Sequence, residues 1–332
     1  MSDYFYSSAR VRALETALLS HDMLLRLTEC ASLESAYKQL TEHGFPLVSD
    51  RESGRVLRDE TLQSRLREAY REVSALTEDA PTELFSLWRY PYDCNNVKAA
   101  IKCFFRGVDC DGMTFDFGTV HVSDVVRAVR ERDFSCLPSH MAEAAEKAME
   151  AYSKNHNPRQ IDLLLDRACY RDMLDAAEAS KVEYAVRLIK EKIDLSNLLM
   201  CVRMMRMQSG DAGRALLCDA FLEGGELSVS FLLDLYVMGE KQMWERLLYT
   251  DYKHLAEFLS AASTLTEMER AADNVWMETV REAKFVSCGA EVLIGYLLGV
   301  EAEVKNLRIV LAGLATGLDG DKIRERIRES YV

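Results

Sequence analysis

A carboxylic acid stands three residues ahead of an asparagine, and an aliphatic residue follows it, at three places in the chain. They are Asp93-Cys94-Asn95-Asn96-Val97-Lys98, Asp194-Leu195-Ser196-Asn197-Leu198-Leu199 and Glu303-Val304-Lys305-Asn306-Leu307-Arg308. A carboxylate and an amide are the raw material of a hydrolytic or cation site. One of each per copy, however, gives too few ligands for Zn²⁺ or Mg²⁺. The same pair also suits structural work. Asp93 follows Pro91-Tyr92 and could cap a helix, with Asn96 reaching back as a variant capping box. An Asn beside an apolar face can tie its helix to a neighbouring backbone amide or carbonyl. A partner contact is a third use. Ligand count favours structure. Asp93, Asn96, Lys98, Asp194, Asn197, Glu303, Asn306 and Arg308 are therefore taken as repeat-motif structural residues, and no catalytic, cofactor-binding or metal-ligating residue is assigned.

Other chemistry is sparse. The six histidines are isolated, and none follows a Glu by three residues as a di-iron bundle requires. His121 with Asp124, and Asp251 with His254, have helical spacing and read as surface ion pairs rather than metal half-sites. The nine cysteines form no Cys-x-x-Cys pair, and their irregular spacing fits idle thiols of a reducing compartment. Phosphate-binding, dinucleotide, nucleophile-elbow and zincin motifs are absent. Glu223-Gly224-Gly225-Glu226 reads as an interhelical turn, since two glutamates would repel a phosphate. Trp88, Trp244 and Trp276 read as core or interface anchors.

Helices must position these groups. Only five prolines occur, none after Pro158, and helix formers dominate. Helical spacing recurs at Val11, Leu14 and Leu18; at Val182, Val186, Ile189 and Ile193; and at Leu255, Phe258, Leu259 and Ala262. No series of alternating strands is present. A short extended piece is conceivable only within Val108 to Val122. Counting from each repeat Asn, apolar residues fall at +1, +5 and +8: Val97, Ile101 and Phe104; Leu198, Val202 and Met205; Leu307, Leu311 and Leu314. The first and third copies add Val108 and Leu318 at +12. This places each Asn at the edge of a buried stripe. Those two copies leave through Gly107-Val108-Asp109 and Gly317-Leu318-Asp319, where glycine can take the left-handed helix-ending conformation. The asparagines lie 101 and 109 residues apart. That is too long for a solenoid unit, and it fits three tandem helical domains at 1–112, 113–225 and 226–332.

The formal net charge of −13 excludes nucleic acid as the main partner and disfavours docking on anionic lipid. The start, Met1-Ser2-Asp3-Tyr4, lacks a basic segment with an apolar run, and Val292 to Val300 is too short to span a bilayer. The expectation is a cytoplasmic protein without a direct lipid anchor, held peripherally on a membrane by protein contacts if it works there at all.

In order and spacing, the chain resembles the C subunit of archaeal and bacterial V-type/A-type ATPases, whose eukaryotic counterpart is the d subunit. The likeness runs through Ala9-Arg10-Val11-Arg12-Ala13-Leu14-Glu15, Tyr92-Asp93 with Asn96-Val97-Lys98, and Leu164-Leu165-Asp166-Arg167. It continues through Ile193 to Leu198 with Arg203, Gly224-Gly225, Gly295-Tyr296-Leu297, Glu303, Asn306-Leu307-Arg308 and Ile323 to Arg328. Leu199 departs from the cation found at Lys98 and Arg308. The resemblance implies an all-α, funnel-shaped protein of three similar domains in a pseudo-threefold arrangement. It further implies a non-catalytic central-stalk adapter without cofactor. Its partners would be the D and F proteins of the central shaft and the proteolipid ring, for proton or sodium transport. The alternative is an unrelated all-helical cytosolic scaffold or protein-binding module.

Overall fold

The computed structural model describes residues 4–77, 82–207, 210–250 and 252–332. The chain is all-α. Its helices are α1 (Phe5–Glu15), α2 (His21–Thr28), α3 (Leu33–Glu42), α4 (Arg58–Ala75), α5 (Thr82–Ser86), α6 (Tyr90–Arg106), α7 (Val122–Glu131), α8 (Ser139–Asn155) and α9 (Pro158–Ser180). They continue as α10 (Glu183–Met207), α11 (Asp211–Ala220), α12 (Val229–Met238), α13 (Glu240–Leu247), α14 (Lys253–Ser260), α15 (Leu265–Arg281), α16 (Ala290–Ala315) and α17 (Gly320–Arg324). Among the described residues, extended backbone pairs only in an isolated bridge, Ser49 with Val56. The 108–121 segment, where the sequence leaves room for an extended piece, is irregular chain and turns.

Local chemistry sets the helix ends. The Ser20 hydroxyl accepts the Met23 N–H at α2, and Thr264 forms a capping box with Glu267 at α15. Pro158 starts α9 behind its Asn157 cap. Gly107 ends α6 at φ 66°, and Gly317 follows α16 at φ 68°.

The chain forms two compact units, one of Met1–Ala80 with Leu247–Val332 and one of Pro81–Arg246. The 1–112 and 226–332 segments each contribute residues to both. In the second unit, α9 is the hub, contacting α6, α8 and α10. Lys98 and Lys102 of α6 meet Asp166 and Asp162 of α9, each at 2.5 Å. In the first unit, α16 is the hub and contacts α1, α2, α3, α4 and α17. The apolar run Val292 to Val300 lies inside this bundle. Its two glycines admit a single ring: a Cβ at Gly299 would stand 2.9 Å from Tyr331 Cβ, and one at Gly295 2.8 Å from Tyr331 Oη. Tyr331 is buried, and its hydroxyl donates to Glu15 Oε1 at 3.0 Å. Arg12 completes the cluster, binding Glu15 and the carbonyls of Ala283 and Val286.

The +1 and +5 positions of all three repeats are buried. Phe104 and Val108, expected on the same face, are 43% and 51% exposed, because α6 ends at Arg106 and the chain turns away at Gly107. Phe258 is likewise 53% exposed, while Leu255 and Leu259 of the same helix are buried.

Three helices end on left-handed residues that are not glycine: Arg132, His156 and Lys181, at φ 55°, 52° and 58°. A side chain in that conformation costs about 1–2 kcal/mol, partly offset because glycine has more freedom to lose on folding. Arg132→Gly and Lys181→Gly should therefore each raise stability by about 0.5–1 kcal/mol in urea denaturation. A lowered midpoint in both variants would contradict this.

Candidate functional site

The three repeat asparagines sit within α6, α10 and α16, and all are completely buried rather than at a stripe's edge. Each meets the backbone of one later residue with both halves of its amide. Asn96 Nδ2 donates to the Phe115 carbonyl at 2.8 Å, and its Oδ1 accepts the Phe115 N–H at 2.8 Å. Asn197 does the same with Leu222 at 2.8 and 2.9 Å, and Asn306 with Arg328 at 3.0 and 2.9 Å. An irregular segment packed against a core has no ladder to absorb its peptide groups, and leaving a buried donor or acceptor unpaired costs about 1–3 kcal/mol. Asn supplies a donor and an acceptor at the spacing of a peptide group. Asp lacks the donor and Leu lacks both.

One turn earlier on the same helix face, the acid holds the start of another helix. Asp93 accepts the Thr119 N–H at 2.9 Å, the Thr119 hydroxyl at 2.6 Å and the Val120 N–H at 3.1 Å. Asp194 accepts the N–H groups of Glu226 at 2.8 Å and Leu227 at 3.2 Å. Glu303 accepts the Leu19 N–H at 2.7 Å and the Arg65 guanidinium at 2.9 Å. Val120, Leu227 and Leu19 occupy one register: each immediately precedes the cap residue, His121, Ser228 or Ser20, of α7, α12 or α2. Each carboxylate thus lies at the positive end of a helix dipole and uses backbone donors that the helix itself cannot satisfy.

Asp93 does not cap its own helix, as the sequence suggests it should. Helix α6 already begins at Tyr90, so Asp93 lies within its first turn and serves the approach to α7 instead. Asn96 correspondingly makes no capping box. In the first copy, the cation two residues after the Asn lies outside the clasp, because Lys98 pairs with Asp166 of α9. His121 lies 3.7 Å from Asp116 while Asp124 binds Arg127, so the expected His121–Asp124 pair is replaced by two others. The Asp251–His254 pair lies outside the described residues. Trp88 and Trp244 are buried, and Trp276 is half-buried.

Glycine lets the carboxylates approach. A Cβ on Gly118 would stand 1.9 Å from Asp93 Oδ1, and one on Gly225 2.0 Å from Asp194 Oδ1. Arg89 steadies the first loop by donating to the carbonyls of Phe117 and Gly118. Two participants are not visible from sequence. Arg65 on α4 is the cation that Glu303 requires, and no local pattern marks it. Asp172 on α9 holds the first turn of α8 through the N–H groups of His140 at 3.0 Å and Met141 at 2.8 Å. Burial pushes the carboxyls of Asp93, Asp172 and Glu303 above the ordinary carboxylate range, and their hydrogen bonds only partly oppose it. Among the described residues, no three His, Cys, Asp or Glu side chains converge to hold a metal ion. The amides of the motif are spent on backbone, and its carboxylates on backbone N–H groups, the Thr119 hydroxyl and the Arg65 guanidinium.

Sequence comparison places this architecture. The profile of the ATP synthase (C/AC39) subunit family matches residues 7–326, which takes in all three acids and asparagines. The chain belongs to that family. The C subunit of the A-type ATP synthase of Haloquadratum walsbyi is 24% identical over 345 residues, covering 96% of each chain. The C subunit of the V-type sodium ATPase of Enterococcus hirae is 22% identical over 335 residues, covering 99% of each. The C subunit of the A-type ATP synthase of Thermococcus kodakarensis is 24% identical, over 98% of this chain and 90% of its own. As a member of a family of ATP synthase subunits, the chain works among other subunits. No helix among its described residues is long and apolar enough to cross a membrane.

Two measurements probe the clasps. Asn197→Leu should cost about 2–4 kcal/mol, because both Leu222 peptide groups lose their partner inside the core. Gly225→Ala should cost about 1–3 kcal/mol, most of it vanishing in an Asp194→Ala background where the clashing oxygen is gone. A fully additive double mutant would refute the contact.

The raised Asp93 pKa has a definite sign. The native chain binds this proton more tightly than the unfolded chain, so Asp93-linked stability is full below the ordinary carboxylate pKa and is lost as pH rises through the native one. The stability advantage of the parent over Asp93→Asn should therefore shrink as pH rises above about 4. Chemical denaturation across that range would show it, and a growing advantage would reverse the assignment.

Proposed function

We propose that this chain is the non-catalytic central-stalk adapter of a V/A-type ATPase. In this reading it joins the D and F proteins of the shaft to the proteolipid ring and carries rotation between them. The observation that carries it is the clasp set. The most distinctive polar residues of the chain are engaged in fixing helix starts and irregular segments to long helices. That arrangement stiffens a body against load and commits these groups to backbone rather than to a substrate. The names of the relatives in Haloquadratum and Enterococcus supply the type of complex.

The three clasps also support a repeat organisation near 1–112, 113–225 and 226–332, with a cyclic shift. The helix held by the third acid is α2, from the beginning of the chain. We take the chain to be peripheral on the membrane through protein contacts, its net charge of −13 complementing basic loops of ring or shaft.

The test is reconstitution of the complex with and without this chain. Without it, ATP hydrolysis by the catalytic head should persist while ATP-driven ion movement into vesicles is lost, and adding the chain back should restore the movement. Ion movement that continues undiminished in its absence would reject the adapter role. Pull-down with the chain alone should retain the D and F proteins, and failure to do so would favour a scaffold unrelated to the shaft.

A further inference from the structure

Arg308 follows its repeat Asn by two residues, as Lys98 does in the first copy. Lys98 is drawn to Asp166 of α9, whereas Arg308 is exposed on the wall of a groove of about 330 Å³ between the second half of α16 and α17. The floor is aliphatic, built from Ile309, Ala312, Leu318 and Ile323. Close packing shapes it. A Cβ on Gly313 would stand 2.6 Å from Ile323 Cδ1, so α17 seats on α16 there, and Ile323 is completely buried. The Leu318 N–H closes on the Gly313 carbonyl at 2.9 Å and turns the chain towards α17. A second cation, Arg326, lines the same groove. It stands two residues before Arg328, whose backbone Asn306 clasps, just as Arg308 stands two residues after Asn306. The cations beside it are engaged, Arg324 with Glu29 at 2.7 Å and Arg328 with Asp273 at 3.0 Å. Among the described residues, Arg326 pairs with no carboxylate, and it is exposed. No acid among them lines the groove, although the chain holds 54 acidic residues against 41 basic ones.

We infer that this groove docks an acidic, aliphatic segment of a partner protein, one that offers a carboxylate to Arg326 beside a bulky aliphatic side chain for the floor. A guanidinium takes a carboxylate through two parallel N–H donors, which fixes orientation as well as charge. The aliphatic floor gains by covering apolar surface, as in other grooves that receive one face of a helix. Neither half suffices alone: charge selects acid over base, and the floor selects an aliphatic neighbour over a polar one. An anionic lipid headgroup shares the charge, but the rest of so acidic a chain repels an anionic bilayer. The corresponding groove at the end of α6, where Val108 holds the register of Leu318, is lined by Asp109 and Asp111 beside Arg130. The preference for acid therefore belongs to the third copy. A segment bound here is opposite in sign to the basic loops that the net charge would draw, so the site goes beyond the adapter reading and stands without it.

The test titrates the full chain into a fluorescein-labelled amphipathic peptide whose leucine stripe is edged by glutamates, read by fluorescence anisotropy at low salt. Binding should saturate. Peptides with glutamine for every glutamate, or serine for every leucine, should each bind at least about tenfold more weakly. Arg326→Glu should weaken the parent peptide by at least about tenfold, and Ala312→Phe, which fills the floor, by a similar factor. Lys322→Glu changes the net charge by the same amount on an exposed residue outside the groove, and should bind within about twofold of the parent. Circular dichroism checks each fold. Arg326 is exposed and forms no ion pair among the described residues, so its variant remains informative if Ala312→Phe unfolds. Phosphatidylglycerol vesicles, tested by co-sedimentation, should not retain the chain. No saturable binding, equal binding of the glutamine peptide, a Lys322→Glu loss as large as that of Arg326→Glu, or Arg326-dependent retention on the vesicles in place of the peptide would each overturn the site.

Discussion

Irregular segments packed against a core must find partners for the peptide groups they turn towards it, and the repeated motif of this molecule follows from that constraint. Helices satisfy themselves along their length, but their first N–H groups and the links between them do not. The solution is the same three times: a long central helix lends an amide to a passing segment and, one turn earlier, a carboxylate to the start of another helix. Because both groups come from one helix face, each clasp fixes a link and a helix start in a single register. Asp172 repeats half of the device at α8 without an amide partner. Arg65 adds a charge in the third clasp, where the acid is a glutamate. A buried ion pair of this kind adds little net stability over an apolar contact, but it penalises any arrangement that separates the partners. Its contribution is to uniqueness more than to depth.

This use of polar residues explains how a motif made of acids and amides can lack chemistry. A reactive carboxylate needs a free lone pair facing a cavity. The three here face backbone donors and a guanidinium instead. What the motif contributes is form: helices held in place by directional bonds rather than by apolar packing alone. The proposed adapter role, in which the body transmits force, would draw on such bonds.

Much of this is legible in the sequence, for identifiable reasons. Helical class follows from period and from the scarcity of proline, and the repeat is visible because clasp chemistry constrains residue type at fixed spacing. The partners of the clasp are not legible. Asn96, Asn197 and Asn306 bind backbone at Phe115, Leu222 and Arg328, where any side chain is compatible, so those positions carry no compositional mark. Gly118 and Gly225 do carry one, but its meaning depends on knowing that a carboxylate approaches. Asp93 imitates a cap of its own helix because the proline just before it resembles a helix start. Helix α6 has in fact begun at the tyrosine before that proline.

The third clasp sets an order of events. Glu303 reaches Leu19 across 284 residues and Arg65 across 238, whereas the asparagine clasps close over 19, 25 and 22. During synthesis, the 81–246 unit has all its clasp partners as soon as it emerges. The first 80 residues do not, and must wait with unfinished apolar faces until α16 leaves the ribosome. Helices made before the 81–246 unit are thus completed only after it, and that interval is when the newborn protein most needs shielding from its neighbours.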